Sequence, residues 1–304
     1  MKKTPFAVLG LTACALMLGA CGSGAGTKES GTQVVASFYP FAFVAQEVGG
    51  AHVSVDNLTS PGVEPHDLEL KPKQVGSVQD ADLIIFEKHF QPAVDEAFDQ
   101  SGRDDKDSID VADLVRLHPL PEGSDEGHGH DEDDPHVWLD PVNMIAVTEA
   151  VRVRLSAIDP DHAAAYTKNA ATLTAKLKAL DTSFSTGLAT CATTKIVTSH
   201  AAFGYLAKRY GLEQVAIAGI DPSNEPSPAQ LADITNLVRK DKITTIFTEE
   251  LVSPAIASTV AQETGAKTAT LDPIEGLSDE TADENYLTLM AKNLAVIEKA
   301  NNCS

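Results

Sequence analysis

HAAAYTKNAATLTAKLKALDTSF, residues 162–184, occupies the middle of the 304-residue chain and reads as one long helix. Its apolar residues Leu173, Leu177, Leu180 and Phe184 recur at helical spacing and share one stripe. On both sides the chain alternates between short β-branched runs and helical runs, the pattern of a parallel α/β sheet. A long helix between two such halves is a candidate spine. The fold expected is therefore α/β: two parallel-sheet lobes joined by a long rigid helix at 160–188, with a ligand cleft between the lobes.

Toward the N-terminus, VVASFY (34–39), HVSVDNL (52–58), DLIIF (82–86) and SIDV (108–111) read as strands of a lobe at 34–159. PFAFVAQEVGG (40–50) reads as a helix, with proline near its start and glycines past its end. Asp140 is placed to cap a helix whose first residue is Pro141. Toward the C-terminus, KIVTS (195–199), QVAIAGI (214–220), ITTIFTEE (243–250) and KTATLDP (267–273) supply the strands of a second lobe at 189–304. The sequence contains no nucleotide-binding glycine pattern and no phosphate loop.

The first twenty residues read as a leader. Lys2 and Lys3 precede an apolar run ending in small residues, as in a secretory signal. Leu18-Gly19-Ala20-Cys21 resembles a bacterial lipobox, so Cys21 is the expected lipidation site, preferred over Cys14 because a cut there leaves a very short apolar region. The Gly/Ser/Thr-rich stretch up to residue 33 is a flexible tether. The expected location is extracytoplasmic, anchored to the bacterial membrane by this lipid. Cys191 and Cys303 then remain in an oxidising compartment and are expected to form a disulfide rather than a thiolate metal site. Acidic residues outnumber basic ones 44 to 23, and removing Lys2 and Lys3 moves the net charge from −21 to −23. That balance argues against nucleic acid and anionic membrane surfaces as partners.

The chemistry centres on DDPHVWLDP (133–141), which frames His136 with Asp134 and Pro135 and carries the only tryptophan, Trp138. Just before it lies GSDEGHGHDED (123–133), where His128 and His130 suggest a metal-capturing loop or simply an acidic surface loop. Ligands of open α/β sheets bind beyond the carboxyl ends of the strands. His200 follows KIVTS, Asp272 follows TATL, and His66 lies in the Pro/Gly-rich loop TSPGVEPHDLELKP (59–72). With His136 these could converge in one cleft, and three imidazoles plus a carboxylate complete a four-coordinate Zn²⁺ shell. Such a set suits Zn, Cu or Ni, whereas Mn²⁺ favours more oxygen donors. Glu249 and Glu250, at a strand end, are placed to accept hydrogen bonds that orient a ligand imidazole. His52, His89, His118 and His162 lack comparable placement.

At GVEPHDLELKP (62–72), DPHVWLDP (134–141), TSHAAFGYLAKRYGL (198–212), GIDPSNEPSP (219–228), IFTEELVSP (246–254) and LDPIEGL (271–277), the chain resembles the metal-binding lipoproteins of bacterial ABC importers. This is the ZnuA-like zinc/manganese solute-binding group. The resemblance covers nearly the whole mature chain. It implies a monomeric, non-enzymatic carrier that binds one divalent metal between two lobes and delivers it to a membrane permease. By motif match the ligands fall on His66, His136, His200 and Asp272. A histidine at the third position, where manganese members tend to carry a carboxylate, implies Zn²⁺, with Mn²⁺ as the alternative. Glu64, beside His66, is the alternative fourth ligand. The chain departs from the group in its short histidine loop and in FEKHFQPAVDEAF (86–98). A zinc hydrolase is the competing class, although the sequence lacks HExxH.

Overall fold

Two four-stranded parallel sheets carry the chain. The computed structural model describes Met1 and residues 31–103, 105–120 and 133–304. The leader, Cys21, most of the tether, and His128 and His130 lie outside the described residues.

The first sheet comprises β1 (Thr32–Ala36), β2 (Val53–Asn57), β3 (Leu83–Phe86) and β4 (Ser108–Asp110), in the order β2-β1-β3-β4. All four residues of β3 are buried, as expected of a parallel strand covered on both faces. Helices α1 (Tyr39–Gly49), α2 (Pro72–Asp80) and α3 (Pro92–Ser101) connect these strands. Each has a proline in its first turn, where the missing N–H costs nothing. A two-residue antiparallel pair follows, β5 (His118–Pro119) with β6 (Asp133–Asp134).

The chain then enters α4 (Pro141–Ile158) and α5 (Ala163–Gly187), which pack against each other. The Asp140 carboxylate accepts a bond from the Val142 N–H at 2.8 Å, the expected cap. The second sheet comprises β7 (Lys195–Thr198), β8 (Glu213–Ala216), β9 (Thr245–Thr248) and β10 (Lys267–Thr270), in the order β10-β9-β7-β8. Its helices are α6 (Gly204–Tyr210), α7 (Pro228–Asp241) and α8 (Ala255–Thr264), and α9 (Tyr286–Ala300) closes the chain. The two sheets thus repeat one topology, and in each the strand order reverses beside the first strand. Those switch points, β1/β3 and β7/β9, are where α/β sheets open a crevice.

The largest hydrophobic core is shared between the halves. Phe38, Phe41 and Phe90 of the first half, the α5 stripe Leu173, Leu177, Leu180 and Phe184, and Phe203 and Tyr286 of the second belong to one buried cluster. Trp138 sits within it, 4.7 Å from the Phe38 ring and 5.2 Å from Phe90. Its indole N–H donates to the Pro273 carbonyl at 2.7 Å, and Tyr286 Oη donates to the Trp138 carbonyl at 2.6 Å. Burying each such aromatic contributes roughly 2–3 kcal/mol, and these residues draw on both halves. Gly31–Ser304 accordingly forms one compact unit. Cys191 and Cys303 are disulfide-bonded across 112 residues, tying the end of α9 to the segment before β7. Among the described residues, no helix is long and apolar enough to cross a membrane.

Candidate metal centre

Four side chains meet at the switch points: His66, His136, His200 and Glu275 each offer one donor atom, all within 4.8 Å of one another. Each is positioned by a different local device.

His66 lies in the loop after β2. Leu58 N–H donates to the Ala36 carbonyl at 2.9 Å, and Thr59 Oγ1 to the Ser37 carbonyl at 2.9 Å, so the loop leaves the end of β1 on a fixed path. Gln91 Nε2 clamps it by donating to Thr59 Oγ1 and to the Pro65 carbonyl. The imidazole meets Phe90 edge-on with ring centroids 4.7 Å apart.

His136 follows β6. Asp134 Oδ1 accepts from both the His136 main-chain N–H (3.0 Å) and its Nδ1 (2.8 Å). Asp134 is itself held by Tyr205 Oη, which donates to its carbonyl at 2.9 Å. Gly204 makes the fit possible, because a Cβ there would lie 2.4 Å from Asp134 Oδ2.

His200 follows β7. Its main-chain N–H donates to Glu249 Oε1 at 3.0 Å, and its Nδ1 to Glu249 Oε2 at 2.6 Å. Glu249 follows β9, so the two sides of one switch point hold each other. In both histidines the carboxylate holds the Nδ1 proton, so Nε2 is the atom that faces the cluster and is free to bind a metal once any proton on it has left.

Glu275 Oε1 lies 3.3 Å from His200 Nε2, 3.4 Å from His136 Nε2 and 3.7 Å from His66 Nε2, and the His136 and His200 Nε2 atoms are 3.3 Å apart. Donors about 2.05 Å from a tetrahedral Zn²⁺ would stand about 3.3 Å from one another. Neither Glu275 oxygen has a hydrogen-bond partner, nor does His66 Nε2. Glu275 is 1% exposed, and His136 and His200 are 0% exposed.

Leaving buried polar atoms unpaired is costly, and Glu275 Oε1 and His66 Nε2, both unpaired, stand 3.7 Å apart within this cluster. Burial pushes the Glu275 carboxyl up, but His200, His136 and His66 outweigh it and hold it well below the usual range. Burial lowers His66. It works the same way on His200, yet Glu249 and Glu275 leave that imidazole well above its ordinary value. His136 is likewise raised, with Asp134 and Glu275 outweighing burial. A carboxylate ringed by imidazoles is a site that exchanges protons for a cation.

The structure brings three of the four expected residues together with Glu275 rather than with Asp272. Asp272 is outside the cluster. Its Oδ1 accepts from the Ile274 N–H at 2.7 Å, and Asn293 locks its main chain on both sides. Burial pushes its carboxyl up to about 7. Its bond holds the turn in which Ile274 adopts φ 59° and after which Glu275 joins the cluster. LDPIEGL contains this glutamate, but counting from the strand end points to Asp272, three residues before the carboxylate that joins the cluster. Glu64 is also outside the cluster. Its Oε1 accepts from the His66 N–H at 3.1 Å, and burial, then Glu275, push it up to about 8.

Glu249 accepts from His200 Nδ1 at 2.6 Å, whereas Glu250 accepts from Ser278 Oγ at 2.7 Å. The roles of Asp134, Gln91 and Gly204 were missed. Only Asp134 gave a signal, by its place two residues before His136. The remaining histidines lie elsewhere: His52 stacks on His162 and His118 on Tyr205, while His89 is a left-handed turn residue.

Similar proteins carry the same architecture. The chain is 39% identical over 311 residues to the zinc-binding lipoprotein AdcA of Streptococcus pneumoniae, matching 99% of this chain and 62% of that protein. It therefore spans about three fifths of that relative's length. It is 35% identical to the high-affinity zinc uptake system protein ZnuA of Bacillus subtilis, covering 95% of both. The crystal structure of the Zn(II)-bound ZnuA-like domain of Streptococcus pneumoniae AdcA superposes with a TM-score of 0.76 at 38% identity, covering 90% of this chain and 99% of that one. A family model described as ZnuA, zinc-uptake complex component A periplasmic, matches residues 34–300, nearly all of the two-sheet body, and the chain belongs to that family.

Proposed function

We propose that the chain is an extracytoplasmic, high-affinity zinc carrier that captures Zn²⁺ as cargo and delivers it to an ABC-type membrane permease. In this reading it is a monomer with lobes at 34–159 and 189–304 about a connecting helix at 160–188, and a lipid on Cys21 anchors it. What carries the proposal is the convergence of four donors, with His136, His200 and Glu275 near the edge length of a zinc tetrahedron and His66 Nε2 3.7 Å from the carboxylate. The names of its relatives support zinc as the cargo. Imidazole-rich donor sets favour zinc over manganese. A catalytic zinc keeps one position open for water, and here a fourth protein donor, Glu275, stands at that position. That arrangement favours a carrier over a hydrolase.

The test is metal competition. The full chain is stripped with chelator and equilibrated with equimolar Zn²⁺ and Mn²⁺, and bound metal is counted by native mass spectrometry. One zinc per chain, lost in His136→Ala and in His200→Ala, is expected. Manganese in its place, or zinc retained by both variants, would overturn the proposal.

A further inference from the structure

At the opposite end of the second sheet from the histidines lies a pocket of about 760 Å³. It forms where α7, α8 and α9 end and β9 and β10 begin. Arg239, Lys242, Lys267 and Lys299 line it together with the threonines Thr245 and Thr268, and no Asp or Glu among the described residues does so. Only about a third of the chain's charged side chains are basic, 23 against 44 acidic, so four cations lining one pocket without a carboxylate run against the chain's charge balance.

Neither nearby acid is shown pairing its carboxylate with a pocket cation. Asp241 pairs with Lys195 at 2.9 Å, and Glu263 presents its main-chain carbonyl to Arg239 Nη2 at 2.7 Å. Among the described residues, Lys242, Lys267 and Lys299 have no carboxylate partner. Helix C-termini do attract cations, and Arg239 and Lys299 lie in the last turns of α7 and α9. Three helix ends carry roughly half a negative charge each, however, which leaves the four cations in surplus by roughly two and a half charges. Lys267 opens a strand rather than closing a helix. A concave site offering ammonium, guanidinium and hydroxyl donors recognises oxyanions through charge-assisted hydrogen bonds.

We propose that this pocket binds a multiply charged phosphate-type anion through Lys242, Lys267, Lys299 and Arg239. A single carboxylate would leave most of these cations unpaired. The site is separate from the metal centre, because His200 and Glu249 follow the carboxyl ends of β7 and β9, whereas the pocket opens at the amino ends. Four strand residues separate the two ends by about 13 Å.

The test titrates sodium pyrophosphate into the full chain by isothermal calorimetry, with sodium acetate at matched ionic strength as the control. Phosphatidylglycerol vesicles in a co-sedimentation arm distinguish a lipid headgroup from a free anion. Saturable binding is expected, weakened by added salt and weakened at least about tenfold in the triple variant Lys242→Gln/Lys267→Gln/Lys299→Gln. Lys176→Gln, on α5, should bind as the parent does. All three pocket lysines are exposed, so the triple variant should keep the parent's circular dichroism and its zinc stoichiometry. Pyrophosphate binding identifies a free anion, and lysine-dependent vesicle binding alone identifies a headgroup. Absence of both, or equal binding by the triple variant, would overturn the proposal.

Discussion

Replacing Glu249 by glutamine changes one atom and should weaken zinc binding sharply. Glu249 accepts two N–H bonds from one residue, the main-chain N–H of His200 on Oε1 and its Nδ1–H on Oε2. Glutamine has a single acceptor oxygen and a donor amide. If its oxygen stays with the backbone N–H, which cannot change its role, the amide faces Nδ1. The imidazole must then move its proton to Nε2, the atom that faces the cluster. If the amide turns over, a buried N–H meets another N–H at a cost of about 1–3 kcal/mol. Loss of a group that orients a ligand imidazole typically weakens metal binding about 10–100-fold, or roughly 1.4–2.7 kcal/mol.

Asp134→Asn provides the internal comparison. Asp134 uses the same oxygen, Oδ1, for both of its bonds to His136, so asparagine keeps both and loses only the charge. Chelator-competition titrations of the three chains should rank zinc affinity as parent, then Asp134→Asn, then Glu249→Gln. Glu249→Gln binding as tightly as the parent would refute the tautomer reasoning. So would Asp134→Asn proving the weaker of the two variants.

Exchanging the two carboxylates of the 271–277 loop separates their roles. Glu275→Gln should weaken zinc by at least about tenfold, while Asp272→Asn, which keeps the acceptor for the Ile274 N–H, should stay within about twofold by the same titration. Asp272 also sets a pH dependence in the metal-free chain. Its folded-state value of about 7 lies above the ordinary one, so its destabilising effect is absent at low pH, grows as pH rises from about 4 to 7 and is complete above that. Denaturant titrations across that range should show a flatter profile for Asp272→Asn. Gly204→Ala places a methyl 2.4 Å from Asp134 Oδ2, and should cost about 1–3 kcal/mol of stability and weaken zinc by displacing the group that orients His136. Calorimetric melting and metal titration measure both effects. Cys191→Ser with Cys303→Ser opens a long loop and should cost up to about 4–5 kcal/mol, read as a lower melting temperature, with zinc affinity within about twofold of the parent's.

The elements were legible because their signals are local. The LIIF of DLIIF is a continuous apolar run and becomes the fully buried β3, and the Leu173–Phe184 stripe becomes the buried face of α5. His200 was legible as a strand-end residue, since topology alone carries such positions to the crevice. Where the chain leaves regular structure, spacing stopped predicting direction. Asp272 was selected because it follows the strand, but the left-handed Ile274 turns the chain so that the glutamate three residues on points inward. The two-residue pairing of β5 with β6 is too short to leave a periodicity. Gln91 supports His66 from a different element, through bonds to Thr59 and Pro65 that no pattern in the sequence announces.

The central claim is that four protein donors enclose one zinc ion. Its most direct test is a crystal structure of the zinc-loaded chain with anomalous data collected on both sides of the zinc edge. One peak is expected, about 2.0–2.2 Å from Nε2 of His66, His136 and His200 and from a Glu275 carboxylate oxygen. A peak bound by Asp272 or Glu64 in place of Glu275, or one completed by water with only three protein ligands, would contradict it.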